Sequence, residues 1–212
     1  MLIRNSGTAR RERAREHTRR DILLAAADVF ARRGYAAATL AELAEAAGFA
    51  APSLYRYFES KEEIFRSLVD LLVREMDATF EEPVDQDLPL AVRLEALLRT
   101  QAKAAEPFRS ALSLLDAPGP EVAHLAPLLR SSRAGVDYYV SRLVPWLRRN
   151  ATKDELRFPP ETVARAFAGV ALAFRADPGD APPPAPERAR TVVDLALHGF
   201  LAPDPRRRGV TP

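Results

Sequence analysis

The chain has 212 residues, of which 47% are hydrophobic and 28% are charged, a balance typical of a soluble globular protein with a sizeable core. It contains no cysteine, which excludes disulfides, thiolate catalysis and cysteine-rich zinc sites. The net charge is only +2, but residues 1–20 contain seven arginines and two glutamates, a local net charge of +5. This imbalance indicates either a polyanionic partner such as DNA or a solvated start that only aids solubility.

Apolar stretches in the sequence are short. Residues 22–27 form an early apolar run that soon meets Asp28, and this run lies within a helical repeat rather than an export signal. Nothing approaches the roughly 20 apolar residues that a membrane-spanning helix needs. We therefore expect a cytoplasmic protein without a membrane partner.

The N-terminal segment is predicted to be a basic disordered arm over residues 1–17, followed by a helix over residues 18–34. Thr18 is a possible N-cap, and Gly34 is a stop signal. Apolar residues at helical spacing define one face of this helix: Ile22, Ala26, Val29 and Phe30.

Two short helices are predicted next. Thr39 begins the first of them, with Glu42 completing a capping box, and Gly48 ends it. The second covers residues 51–58 and carries Pro52 in its first turn, where a missing backbone N–H costs nothing.

A longer helix begins at Ser60, which forms a second capping box with Glu63, and it runs to about Pro83. Further helices are expected at residues 88–105, 107–116, 121–150, 159–175 and 186–201. Residues 177–186 are proline-rich and predicted to be a loop, and residues 203–212 a flexible tail. The fold class is therefore all-α.

The three short helices have the spacing of a helix-turn-helix. Ala44 is small enough for the helix crossing, and Gly48 tolerates the positive φ that the turn requires. Leu54 and Phe58 are four residues apart and would anchor the last helix inward. Its outward face would then carry Ser53, Arg56 and Tyr57, with Tyr55 at the flank.

Residues 18–65 resemble the DNA-binding domain of the tetracycline-repressor (TetR) family, and the resemblance covers the first quarter to third of the chain. It depends on a set of residues at matching spacing: Ile22, Ala26, Phe30, Gly34, Thr39, Ala44, Gly48, Leu54, Tyr55, Phe58 and Lys61. It implies an N-terminal helix-turn-helix domain over residues 18–64 and a helical effector-binding and dimerisation domain over residues 65–202. The implied function is that of a dimeric transcriptional repressor.

The resemblance also implies DNA contacts. Arg56 would read a base edge through its two parallel donors, and the other residues would contact phosphate, sugar or base. The full set is Arg19, Arg20, Thr39, Ser53, Tyr55, Arg56, Tyr57 and Lys61. The chain departs from the family pattern at Ala50, Ala51 and Pro52, where polar, basic or glycine residues are usual. We therefore expect a larger share of contacts from Arg56 and the arm.

The C-terminal region is expected to hold an effector pocket and a dimer interface, although apolar stripes at helical spacing also form ordinary cores. A mainly apolar pocket would favour a hydrophobic or aromatic effector. Candidate pocket residues are Phe65, Leu68, Leu72, Met76, Phe108, Leu112, Leu115, His124, Leu125, Tyr138 and Trp146. Candidate dimer residues are Phe167, Val170, Phe174, Val193, Leu197 and Phe200. A twofold dimer implies a near-palindromic operator in double-stranded DNA.

Two rival interpretations belong to other classes. An all-helical enzyme is disfavoured because His17, His124 and His198 are far apart and the sequence offers no phosphate-binding loop. We therefore predict no catalytic residues, no metal and no cofactor. The other alternative is a helical adaptor or an activator whose helix-turn-helix serves another partner, and salt-dependent binding to duplex DNA separates the adaptor from a regulator.

Overall fold

The computed structural model of the protein describes residues 5–108, 132–173 and 185–198. Within these ranges the regular structure is helical, which confirms the all-α prediction. The α-helices are α1 (Asn5–Ala37), α2 (Leu40–Ala46), α3 (Ala51–Leu54), α4 (Lys61–Thr79), α5 (Leu90–Ala105), α6 (Ser132–Asn150), α7 (Pro160–Ala173) and α8 (Ala185–His198). Glu106–Phe108 forms a 3₁₀ turn. None of the described helices is long and apolar enough to cross a bilayer.

Helix α1 is longer than the sequence predicted, because it begins at Asn5 and includes residues expected to form a disordered arm. Alanine, arginine and glutamate dominate this segment and are strong helix formers. Thr18 is inside the helix rather than at its start, and its hydroxyl donates to the Ala14 carbonyl at 2.9 Å. Gly34 breaks the helix with φ 74° and ψ 160°, a conformation that essentially only glycine adopts.

The chain divides into two compact units. Met1–Ala78 and Ala104–Gly135 form unit 1, and Thr79–Lys103 and Val136–Pro212 form unit 2. Unit 1 contains the whole segment that the sequence assigns to a helix-turn-helix, together with most of α4.

The core of unit 1 comes from α1, α2, α3 and α4. Ile22 and Phe30 are fully buried, as the helical spacing of the α1 face predicted. Phe65 of α4 meets the Phe30 ring edge-on with centroids 5.6 Å apart, and the Tyr35 ring at 5.2 Å. Each fully buried side chain of this size stabilises the fold by about 1.5–3 kcal/mol, so this cluster holds the short helices that are too brief to be stable alone.

In unit 2 the core surrounds Trp146. A buried arginine, Arg93, bonds to the segments that precede α5 and follow α6. Arg93 is only 4% exposed, and its guanidinium donates to the Glu155 carboxylate, the Asn150 carbonyl and Gln86. Glu155 also accepts from the backbone N–H groups of Leu90 at 3.1 Å and Thr152 at 3.0 Å. These bonds lower the pKa of Glu155 from 4.5 to about 2, the Thr152 N–H contributing most and Arg93 next.

Candidate nucleic-acid interface

The recognition segment, residues 51–58, is one regular helical turn followed by a hydrogen-bonded turn. Regular α-helix ends at Leu54, earlier than predicted, but the N–H groups of Tyr57 and Phe58 both donate to the Leu54 carbonyl, at 2.9 and 3.0 Å. Leu54 and Phe58 are each 1% exposed, which confirms them as the inward anchors. Because both anchors point inward, Tyr55 and Arg56 between them are exposed to solvent.

The outward residues of the recognition segment are aromatic, basic and hydroxylic. Tyr55 is 57% exposed, an unusual position for a large aromatic side chain. Arg56 is also exposed, whereas Ser53 is half-buried. Tyr57 is half-buried and packs edge-on against Phe49 with ring centroids 5.8 Å apart. The surface therefore presents Tyr55 and Arg56 most fully.

The turn that orients this segment has the geometry that the sequence indicated. Gly48 has φ 75°, in the left-handed region that favours glycine. The Phe49 N–H donates to the Ala44 carbonyl at 2.8 Å, and Ala44 is 1% exposed. The small side chain of Ala44 permits the close helix crossing, and the turn then sends the chain directly into α3.

Thr39 begins α2 in the predicted capping box. Its hydroxyl accepts from the Glu42 N–H at 3.3 Å, and the Glu42 carboxylate accepts from the Thr39 N–H at 3.0 Å. Arg33 donates to Glu42 as well, and this bond contributes most to lowering the pKa of that carboxyl. Thr39 is exposed, so its hydroxyl lies at the surface with the α2 N-terminus.

Three basic residues predicted to contact DNA have partners inside unit 1. Arg19 donates to the Tyr57 carbonyl, and Arg20 forms an ion pair with Glu75. Lys61 Nζ donates to three backbone carbonyls, those of Tyr35, Ala36 and Ala38, at 2.8, 3.1 and 2.9 Å. Sequence reasoning missed these partners, because nothing local marks contacts between residues 23 to 55 positions apart.

The exposed positive charge is concentrated on the first turns of α1. Four arginines there are exposed: Arg10, Arg11, Arg13 and Arg15. Arg15 Nη2 lies 3.4 Å from the Arg56 carbonyl, so this stretch of α1 approaches the recognition segment. The structure thereby brings Arg15 of the arm next to Arg56 of the recognition segment.

The predicted pocket residues that the structure describes are divided between the two units. Phe65, Leu68 and Phe108 are buried in the core of unit 1, and Trp146 is buried in the core of unit 2. Leu72, Met76 and Tyr138 are half-buried. The remaining candidates lie outside the described residues: Leu112, Leu115, His124 and Leu125.

Three of the six predicted dimer residues have described side chains, and these are buried or half-buried in unit 2. Phe167 and Val193 are 0% and 5% exposed in the single chain, and Val170 is half-buried. The side chain of Leu197 and the residues Phe174 and Phe200 lie outside the described part. On α7 the exposed positions include Ala166 and Gly169, three residues apart and both small.

The fold and this surface define a helix-turn-helix protein. A sequence profile described as "Bacterial regulatory proteins, tetR family" matches residues 22–68. This segment of the chain is therefore similar to the DNA-binding domain of that family.

Relatives and solved structures show the same similarity. The repressor KstR2 of Rhodococcus jostii is 34% identical over 107 residues, 50% of this chain and 51% of that protein. The activator FasR of Mycolicibacterium smegmatis is 36% identical over 86 residues, 39% of each chain. The TetR family regulator PfmR of Thermus thermophilus is 28% identical with a TM-score of 0.60, covering 85% of this chain and 99% of that one. The matches to these curated relatives span about half of their length or less.

Proposed function

We propose that the chain is a dimeric, sequence-specific DNA-binding transcriptional regulator, a repressor released from its operator by a small, mainly apolar effector. The observation that carries this proposal is the recognition segment, whose buried Leu54 and Phe58 turn Tyr55 and Arg56 outward. A short helix presented in this way fits the major groove, where an arginine can bond the O6 and N7 atoms of guanine. The tyrosine suits a phosphate or sugar contact.

The exposed arginines of α1 supply the second part of the proposed interface. Their positive charge would attract the phosphate backbone without regard to sequence, and this attraction falls steeply with salt. The exposed Thr39 hydroxyl donates to the Glu42 carboxylate at 3.0 Å, so a DNA phosphate would have to replace this bond to contact it. Arg20 and Lys61 have internal partners, so in this proposal they contribute mainly to the electrostatic potential of the surface.

The proposal includes a twofold dimer, because one recognition segment reads only a few base pairs. Two segments must lie about 34 Å apart to enter successive major grooves. The exposed small residues of α7, Ala166 and Gly169, would let the same helix of a partner subunit approach closely. The operator would then be a near-palindrome.

The effector is proposed to enter the apolar interior of unit 2. In the described residues of unit 2, four buried side-chain donors have no hydrogen-bond partner: Arg93 Nε, Arg99 Nε, Gln101 Nε2 and Trp146 Nε1. Tyr139 donates to the other end of the Gln101 amide at 2.6 Å, which fixes that side chain. Buried polar groups normally have partners, so an apolar effector with a carbonyl or carboxylate oxygen fits this interior best.

The test of the proposed function is selection of bound fragments from a random duplex library with the purified protein at moderate ionic strength. We expect a twofold-symmetric consensus with half-sites about one helical turn apart. Failure to enrich any sequence would overturn the proposal and favour the helical adaptor. Addition of a medium-chain fatty acid should then weaken operator binding, while the corresponding alkane, which lacks an acceptor, should not.

A reporter experiment shows whether the protein represses or activates transcription. The curated relatives include a named repressor and a named activator. We propose repression, so placing the selected operator over a promoter should lower transcription when the protein is expressed. Higher transcription would assign the chain as an activator instead.

A further inference from the structure

We propose that Arg19 is a positioning residue, which fixes the end of the recognition segment instead of binding a DNA phosphate. This inference rests on the proposed function, because it concerns how the same surface reads DNA. It means that preference for one DNA sequence depends in part on a residue outside the recognition segment.

The guanidinium of Arg19 has three partners at the end of the recognition segment. One of its Nη atoms donates to the Tyr57 carbonyl, and its central carbon lies 4.1 Å from the centre of the Phe58 ring. Its other Nη atom lies 3.6 Å from a Glu63 carboxylate oxygen. The side chain is only 23% exposed, so most of its donors face the protein.

Glu63 extends this arrangement into the start of α4. Its carboxylate accepts from the Glu59 N–H at 2.6 Å, and its own N–H donates to the Ser60 hydroxyl at 3.1 Å. Arg19 therefore joins α1, the Tyr57 carbonyl near the end of the recognition segment and the turn that follows it. The four-residue helix α3 is too short to hold its own orientation, so the direction of Arg56 depends on such tertiary contacts.

A phosphate-binding role would place different demands on the side chain. To reach a phosphate, the guanidinium would have to release the Tyr57 carbonyl and the Glu63 carboxylate, which compete for the same donors. Arg13, on the exposed face of α1, has no such conflict, since its Nε donates only to the Ala9 carbonyl of its own helix at 3.2 Å. The two arginines make a matched pair of equal charge on one helix.

The first experiment compares Arg19→Lys, Arg19→Gln and the control Arg13→Gln in binding to the selected operator and to a scrambled duplex. Lysine keeps the charge but loses the planar group that stacks on Phe58. We expect both Arg19 variants to lose preference for the operator by about tenfold, the usual value of a charged hydrogen bond, with an unchanged salt slope. Arg13→Gln should keep the preference and lower the salt slope by about 1.8, about 0.9 for each subunit of the bound dimer. If Arg19→Gln lowers the salt slope as much as Arg13→Gln does, Arg19 binds a phosphate and the proposal is overturned, whatever happens to the preference for the operator.

The second experiment needs no DNA, so it separates this inference from the proposed function. Hydrogen exchange is measured in the free protein at the amides of Arg56, Tyr57 and Phe58, which donate within the recognition segment. We expect exchange about tenfold faster in both Arg19 variants and unchanged in Arg13→Gln. Unchanged exchange in Arg19→Lys would overturn the role of Arg19, whereas a wild-type protein without sequence preference would overturn the proposed function.

Discussion

Lys61 and Tyr35 are joined at two points. Lys61 Nζ donates to the Tyr35 carbonyl at 2.8 Å and lies 4.6 Å from the centre of the Tyr35 ring. The same ammonium also bonds the Ala36 and Ala38 carbonyls, so all three of its donors are used. These carbonyls follow the kink at Gly34, those of Tyr35 and Ala36 in the last residues of α1 and that of Ala38 just after it. Lys61 supplies the donors that a continuing helix would have given.

Lys61→Met should therefore lower the free energy of unfolding, because three carbonyls lose their charged donor. We expect a loss of about 1–3 kcal/mol, measured by urea unfolding of the free protein. Lys153→Met removes an exposed lysine from unit 2 and serves as the control, with an expected change within about 0.5 kcal/mol. Equal stability of the two variants would show that Lys61 is not needed to end α1.

Arg56→Ala should relax sequence preference at one base position of each half-site. The expected cost is about 1–3 kcal/mol for the preferred base and little for the others. Quantitative binding to operators substituted one position at a time measures this pattern. Arg32→Ala, an exposed arginine elsewhere on α1, should leave the pattern intact. A uniform loss across all sequences in Arg56→Ala would reassign this side chain to a phosphate contact.

Ala166→Arg tests the proposed dimer through the exposed side of α7. A bulky charged side chain at a close helix approach should separate the subunits, lowering the measured mass to that of one chain. Operator binding should weaken about 100-fold or more, because the two half-sites would no longer be bound together. Light scattering and operator titration measure the two effects. Ala166→Ser keeps the side chain small and should remain dimeric; a dimeric Ala166→Arg protein would place the interface elsewhere.

Glu155 predicts a specific dependence of stability on pH. Its pKa is lowered from 4.5 to about 2 in the folded chain, so its contribution is present above about pH 4.5 and is lost as the pH falls towards 2. Glu155→Gln should therefore lose less stability than the natural chain between pH 5 and pH 2, as measured by urea unfolding. Glu82→Gln, exposed in the same unit, should behave like the natural chain. Identical curves for all three proteins would contradict the role of Glu155.

Features that depend on local chemistry could be predicted from the sequence. The Thr39–Glu42 capping box, the positive φ at Gly48, and the inward direction of Leu54 and Phe58 all follow from residues within a few positions of one another. Each is confirmed in the structure.

Features that depend on distant partners could not be predicted. Arg19 meets Tyr57 across 38 positions and Arg93 meets Glu155 across 62, and neither sequence neighbourhood marks the other. Apolar spacing identified Phe65 and Trp146 as inward residues, but the same spacing serves a packed core and a pocket. The charge-rich start of the chain has a composition that suits both a solvated coil and an exposed helix. Only the structure shows that it is helical.

The continuity of α1 has a consequence for the kinetics and heat of association. A basic segment that is already helical and joined to a buried core does not have to fold when it meets the duplex, so little conformational entropy is lost in the encounter. Its charges are held in a fixed array, and the long-range attraction can orient the whole first unit during approach. Capture of DNA by this protein should accordingly be rapid, with a heat-capacity change that reflects only the surfaces brought together.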